Sequence, residues 1–346
     1  MTTSLSYSFT VAQTDIIREG MLNVGAIGES EVATSQEYTD CARKLSMMVK
    51  QWMGKMDFAP GLKMWTRQRA TLFLGATIHT YNLGPNGDNW AGGVTGGGTG
   101  QTHANTTTTA AASSGSTTLA LAATTLINSG DYIGVVYTTA TNGNDLFWTT
   151  VQGAPSGGVV TLTIPLTVNV SAGTNVYTYT NKAQRPLSIV TAILRDQYAN
   201  DTPLNFMTIE EYEALPSKVQ PNNQSDPSSI YYESQIGTQL QGNSVVGSGQ
   251  LYIDCYGAQD VTKFLHIVYL RPVQDMVNPG DNPEYPQQWY RALCWGLSRE
   301  IAGMFDCPWT QEMQANYQES IAMAKEADSE TTAFYFQVNA TSPYDP

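Results

Sequence analysis

The chain has 346 residues, of which 41% are hydrophobic and only 14% are charged. This hydrophobic content is sufficient for a folded core and excludes a largely disordered chain, and the length favours about two domains. The net charge is −13, and residues 183–346 carry 8 basic and 20 acidic side chains. Such a balance argues against a protein that grips nucleic acid, because affinity for phosphate depends on Lys and Arg.

Two helices are predicted near the N-terminal end. The first covers residues 14–24, where apolar side chains recur at helical spacing. The second opens with Thr34 and Glu37, a capping box in which each side chain accepts a hydrogen bond from a backbone N–H of the other residue. Its apolar stripe continues to Trp52.

Residues 83–182 are predicted to form an inserted antiparallel β-sandwich or barrel. Short β-branched runs alternate with Gly and Asn turns between residues 118 and 179, which is typical of such domains. Before these runs, residues 91–118 are a tract of Gly, Thr, Ser and Ala. We expect this tract to be a flexible or weakly ordered surface excursion.

A second mixed region follows the insertion. A capping box at Thr208 predicts a short helix, and residues 249–254 and 263–270 are predicted strands. Pro286 stands where a helix N1 proline belongs, and a last helix is predicted over residues 310–328.

The predicted fold class is therefore α+β. It has a helical core of two N-terminal and two C-terminal helices, the inserted β domain, and an extended C-terminal tail. The predicted segments are residues 1–82, 83–182, 183–330 and 331–346.

Neither a cofactor nor a metal site is predicted. Motifs for nucleophilic, phosphate-binding or zinc chemistry are missing from the sequence, and His79, His103 and His266 are too few and too scattered along the chain for metal ligation. The four cysteines are widely spaced, which favours buried free thiols over disulfides.

One acidic cluster allows a catalytic interpretation. Glu210, Glu211 and Glu213, beside Asp196 and Asp201, could supply paired carboxylates for glycoside hydrolysis. Carboxylates in a capped first turn are also stabilised by the helix dipole. We favour the second explanation, so no catalytic residue and no enzymatic activity are predicted.

The notable basic group consists of Lys63, Arg67 and Arg69. Nucleic-acid binding is one interpretation of it. On an acidic protein, three cations more often pair with acidic side chains of the same subunit or of a neighbouring one. We therefore predict ion pairing within or between subunits.

The C-terminal tail contains consecutive aromatic residues, Phe334, Tyr335 and Phe336. Side chains alternate across an extended segment, so these three cannot all face one core. We predict that they dock on a partner together with Val338 and Tyr344; docking on the chain's own domain is the alternative.

Several segments, in this order, resemble head-to-tail adaptor proteins, the packaged-DNA-stabilisation family of P22-like short-tailed bacteriophages. The segments at the N-terminal end are residues 10–30, 35–38 and 45–52. Those of the middle and the late helix are residues 185–187, 194–196, 211–216, 269–272 and 286–293. The inserted domain matches this family less well.

The resemblance implies a homo-oligomeric ring, twelve-fold in the better-known relatives. Such a ring docks under the portal protein after DNA packaging, continues the DNA channel and carries the tail nozzle. It implies a virion protein made in the host cytoplasm, with genomic DNA passing through the ring. The acidic charge balance predicts that this DNA passes without specific binding, and since no apolar stretch reaches about 18 residues, no membrane span is predicted. Two alternatives remain: an adaptor with peptidoglycan-hydrolase side-activity, and a tail receptor-binding protein.

Overall fold

The computed structural model describes residues 9–53, 64–93, 102–139, 143–216, 218, 225–234, 247–255 and 261–328. The protein is of the mixed α+β class. The helices are α1 (Gln13–Asn23), α2 (Ser35–Trp52), α3 (Ile209–Ala214), α4 (Tyr290–Ala302) and α5 (Gln311–Ala327). The strands are β1 (Arg67–Phe73), β2 (Thr80–Leu83), β3 (Trp90–Gly92), β4 (Ala104–Thr107), β5 (Thr118–Ala120), β6 (Tyr132–Thr138), β7 (Asn144–Thr150), β8 (Val159–Thr161), β9 (Asn175–Tyr179), β10 (Asn181–Lys182), β11 (Ser188–Arg195), β12 (Asp201–Pro203), β13 (Asn205–Phe206), β14 (Ser229–Glu233), β15 (Gly249–Ile253) and β16 (Phe264–Leu270).

The chain divides into two compact units. The helical unit combines residues 1–66 with residues 273–346, and the β unit comprises residues 67–272. These limits differ from the predicted segment boundaries, because β1 pairs with β16 along its whole length, from Arg67 opposite Leu270 to Phe73 opposite Phe264. Long-range strand pairing therefore assigns residues 67–82 to the β unit.

The helical unit has one core to which α1, α2, α4 and α5 all contribute. The capping box of α2 is present as predicted: the Thr34 hydroxyl accepts from the Glu37 N–H at 3.3 Å, and the Glu37 carboxylate accepts from the Thr34 N–H at 2.8 Å. The core includes fully buried Ile16, Leu45 and Leu293. Burial of these apolar faces, more than helix propensity, stabilises such helices.

Helices α1 and α4 approach each other closely at Gly20. A Cβ atom at this position would lie 3.1 Å from Leu297 Cδ2 and 3.3 Å from Leu297 Cγ. The Ser298 hydroxyl donates to the Gly20 carbonyl at 3.1 Å. Helices α1 and α4 are therefore held together here by a buried hydrogen bond as well as by apolar packing. A Cβ at this position would press on the Leu297 side chain, which favours glycine here.

The β unit contains two facing sheets. Sheet I has the strand order β10-β3-β1-β16-β11-β12, and sheet II has the order β13-β14-β15-β2. The inward side chains of both sheets form one core, which includes Leu72, Trp90 and Tyr269 from sheet I and Tyr81 and Leu251 from sheet II. Because side chains alternate along a strand, the intervening residues of sheet I lie on its other face, here called the outer face.

The inserted segment forms a smaller β module within this unit. Sheet III, of order β4-β9-β6-β7, is antiparallel, as is the separate pair β5-β8. A common core joins both, with Leu119 and Val160 from the pair and Ile133, Val135 and Val176 from sheet III. Two layers over one core agree with the coarse prediction of antiparallel β structure in the insertion.

The prediction for residues 91–118 was wrong for a large part of that tract. Residues 94–101 lie outside the described residues, but residues 104–107 form β4, which pairs with β9. Thr102 and Thr108 are buried. Backbone pairing with a strand some 70 positions later gives order to a segment whose composition has no apolar alternation.

Aromatic side chains connect the module to the outer face of sheet I. Phe73 lies 5.4 Å from Tyr177, 5.9 Å from Tyr179 and 5.0 Å from Trp148, measured between ring centroids. These rings belong to a buried cluster that also contains Phe264. The module therefore covers one end of the outer face and leaves an edge at which a pocket forms.

Candidate functional site

The predicted docking tail lies outside the described residues. This applies to Phe334, Tyr335, Phe336, Val338 and Tyr344, and also to the basic residue Lys63. The docking function predicted for the tail stays a prediction.

Arg67 and Arg69 lie two residues apart on β1 and share the outer face of sheet I. Arg69 is exposed. Among the described residues, no carboxylate lies within ion-pair distance of its guanidinium. Arg69 is therefore available to pair with a negatively charged group that does not belong to the described residues. The pairing predicted between neighbouring subunits stays a prediction.

Three of the acidic residues singled out from the sequence, Glu211, Glu213 and Asp201, make local structural contacts. Glu211 completes the capping box of α3 by accepting from the Thr208 N–H at 2.7 Å. Glu213 accepts from Lys218 at 2.9 Å, and Asp201 forms a bidentate pair with Arg195 at 2.6 and 2.8 Å. These contacts agree with helix capping and ion pairing as the reason for the carboxylates.

An apolar groove, here called the helical groove, lies on the helical unit. It has a volume of about 520 Å³. Its lining includes the apolar side chains Ile17, Ile27, Val32, Ala33, Tyr38 and Pro279. Val32 is 87% exposed, which leaves a branched apolar side chain in water at the rim, where burial would contribute about 1.5–3 kcal/mol.

A second cavity, here called the sheet-face pocket, lies in the β unit and has a volume of about 480 Å³. Its floor is the outer face of sheet I, where His266 of β16 stands between Thr71 of β1 and Ile193 of β11. One step along the strands, Arg69 lies beside Val268. Its lining residues are Arg69, Thr71, Thr102, His103, Asn105, Ile193, Arg195, Asp196, Gln197, Ala199, Phe264, His266 and Val268.

The segment leading into β4 forms one wall of this pocket. The Thr102 and Thr71 hydroxyls are 2.5 Å apart and connect the wall to the floor. The His103 ring packs edge-on against Phe264, with centroids 4.8 Å apart, and against Phe73 at 5.3 Å. The buried Nδ1 atom of His103 has no hydrogen-bond partner within the described ranges.

The pKa values of the two histidines are lowered mainly by burial and further by neighbouring positive charge. Burial, followed by the charges of Arg195 and Arg69, lowers the pKa of His266, against a smaller opposing effect of Asp201. Burial, followed by His266 and Arg195, lowers the pKa of His103 to about 4. Both rings are therefore neutral near pH 7, in a place where further positive charge is disfavoured.

Analysis of the sequence missed this pocket. The three histidines are scattered along the sequence, but His103 and His266 line the same cavity. Their separation of 163 positions is bridged by strand pairing. A signal was available in β16, where His266 stands between buried Leu265 and Ile267 and so had to lie on the outer face.

Comparison with known protein families gives no match to this chain, and no characterised protein matches its sequence significantly. Among the described residues, no helix combines the length and the apolar character needed to cross a membrane.

Proposed function

We propose that this protein is a structural virion component, a head-to-tail adaptor of a short-tailed bacteriophage. Copies of the chain form a ring of twelve subunits, as in the better-known members of the adaptor family that the sequence resembles. The ring docks under the portal protein after DNA packaging, continues the channel and provides the platform for the tail nozzle. The protein acts by docking and ring closure and not by catalysis.

The helical groove is the observation that carries this proposal. Apolar side chains left exposed beside a concave groove suit a contact with another protein. A ring closes through heterologous contacts, in which one surface of a subunit meets a different surface of the next. A concave apolar groove with Val32 at its rim fits one side of such a contact.

The charge distribution supports the same proposal. Residues 183–346 carry 8 basic and 20 acidic side chains, and like charge discourages DNA from adhering to a channel. The low charged fraction of 14% suits subunits whose surfaces are covered by neighbours, since interface cores are depleted of charge.

Ring assembly tests the role of the groove. Purified protein is mixed with phage particles that lack it, and the neck is examined by electron cryomicroscopy and the assembled mass is measured. Val32→Asp places a charge at the groove rim and is expected to reduce ring occupancy about tenfold or more, the equivalent of roughly 1.4 kcal/mol. The matched control Val159→Asp changes an exposed valine of the β module and should leave assembly intact. Equal assembly by both variants refutes a groove-mediated contact.

Attachment to the portal is tested separately by deleting residues 331–346. The truncated protein should fold and should no longer attach to the portal. Normal attachment contradicts the role proposed for Phe334, Tyr335 and Phe336.

The absence of catalysis is tested by zymography on purified cell wall, with no clear zone expected. A clear zone that is lost in Glu211→Gln would show that the cap residue of α3 is instead a catalytic carboxylate.

A further inference from the structure

The sheet-face pocket has the composition of an anion site on an otherwise acidic protein. Arg69 is exposed at its edge and, within the described ranges, forms no ion pair. Arg195 also lines the pocket, but its guanidinium is held in a bidentate pair by Asp201. Arg69 is thus the guanidinium that a ligand can engage without breaking an existing pair.

The carboxylate that lines the pocket, Asp196, accepts hydrogen bonds within its own turn. Its oxygens accept from the Tyr198 N–H, the Asn200 N–H and the Asn200 side-chain amide, each at 2.8 Å. These hydrogen bonds are the main reason why the pKa of Asp196 lies below its ordinary value. Asp196 therefore offers few lone pairs to a bound cation, and the arginines disfavour one further.

Polar groups around the cavity can donate hydrogen bonds to an anion. The His266 ring lies at the centre of the floor, and the exposed Asn105 amide and the His103 ring lie on the wall. A neutral imidazole donates one hydrogen bond. Guanidinium groups bind the oxygens of phosphate and carboxylate in a bidentate manner.

We propose that the sheet-face pocket binds an oxyanion-bearing ligand, with Arg69 as its charged partner and His266, His103 and Asn105 as neutral donors. The volume of about 480 Å³ falls within the usual range for small-molecule sites, roughly 300–1,000 Å³. It admits a phosphate ester or a small dicarboxylate. Phe264 and Ile193 line the cavity beside the polar groups and suit an apolar part of such a ligand.

The test is a titration of the full chain followed by NMR of the histidine side chains. Inorganic phosphate, phenyl phosphate and succinate are added separately at constant ionic strength. Saturable shifts of the His266 and His103 resonances are expected. A bound anion should also raise the pKa of His266, by about half a unit or more, because it offsets the neighbouring arginines. If phenyl phosphate or inorganic phosphate binds more tightly than succinate, the ligand is a phosphate compound. If succinate binds more tightly, the ligand is a carboxylate.

Arg69→Gln should weaken binding about tenfold or more, since it removes a charge-assisted bidentate contact. Arg43→Gln removes the same charge from an exposed position on α2 and serves as the control, with unchanged binding. The resonances of His103 show whether the pocket of each variant is folded. Shifts that fail to saturate with all three probes, or equal binding by both variants, overturn the proposal.

Discussion

Helices α1 and α4 are in close contact at Gly20. We expect Gly20→Ala to lower the free energy of unfolding when residue 297 is leucine and to raise it when residue 297 is alanine. Gly20→Ala alone gains about 1 kcal/mol in helix propensity. Its Cβ would lie 3.1 Å from Leu297 Cδ2 and 3.3 Å from Cγ, and overpacking of this kind costs about 1–3 kcal/mol. We expect the single variant to lower the free energy of unfolding, by up to about 2 kcal/mol.

Leu297→Ala removes those two atoms. Leu297 is fully buried, so this change alone should cost about 2–5 kcal/mol. Of the three atoms nearest to a Cβ at position 20, this leaves the Cβ of residue 297, at 3.5 Å, which is an ordinary van der Waals distance. In this background, Gly20→Ala should therefore stabilise the protein by about 1 kcal/mol.

A double-mutant cycle in urea measures the difference. Far-ultraviolet circular dichroism reports unfolding of this unit, because the long helices α1, α2, α4 and α5 all belong to it. The expected coupling free energy is about 1–3 kcal/mol. If Gly20→Ala has the same effect in both backgrounds to within about 0.5 kcal/mol, the inferred packing of α1 on α4 is refuted.

Three further outcomes are expected. Thr34→Ala removes the side-chain acceptor of the α2 capping box and should cost about 1 kcal/mol in urea unfolding, whereas Thr34→Ser should cost little. The pKa of His103 is lowered to about 4 by burial, so its neutral form stabilises the fold above the unfolded pKa of about 6.5, and this stability is lost as pH falls towards 4. His103→Gln should flatten the decline in urea midpoint over that window, and an unchanged decline contradicts the assignment. Burial raises the pKa of the Cys41 and Cys255 thiols to about 11, so mass spectrometry after alkylation at pH 8 should find both unmodified in the native protein and modified in urea.

Helix starts were predictable because their signals are local. Thr34 with Glu37, and Thr208 with Glu211, place donor and acceptor three residues apart, and both boxes occur in the structure. Strand β16 was predictable for a similar reason, since Phe264–Leu270 is a short run of β-branched, aromatic and other apolar residues.

Strand β4 was not predictable from its own residues. Its four residues include no large apolar side chain, and its order depends on the register with β9, in which Ala104 lies opposite Thr178. The sheet-face pocket could not be predicted for the same reason. Arg69, Arg195 and His266 show from alternation alone that they avoid the core, but which strands are neighbours depends on pairing over long separations.

The pairing of β3 with β10 has a topological consequence for the β module. Gly92 lies directly opposite Asn181, and Ala91 opposite Lys182, so the chain leaves sheet I and returns to it at one point. A two-residue turn suffices to join two antiparallel strands. The strand order of sheet I is therefore independent of what the chain forms between residues 92 and 181, although in this protein the rings of the module also cover Phe73 and Phe264.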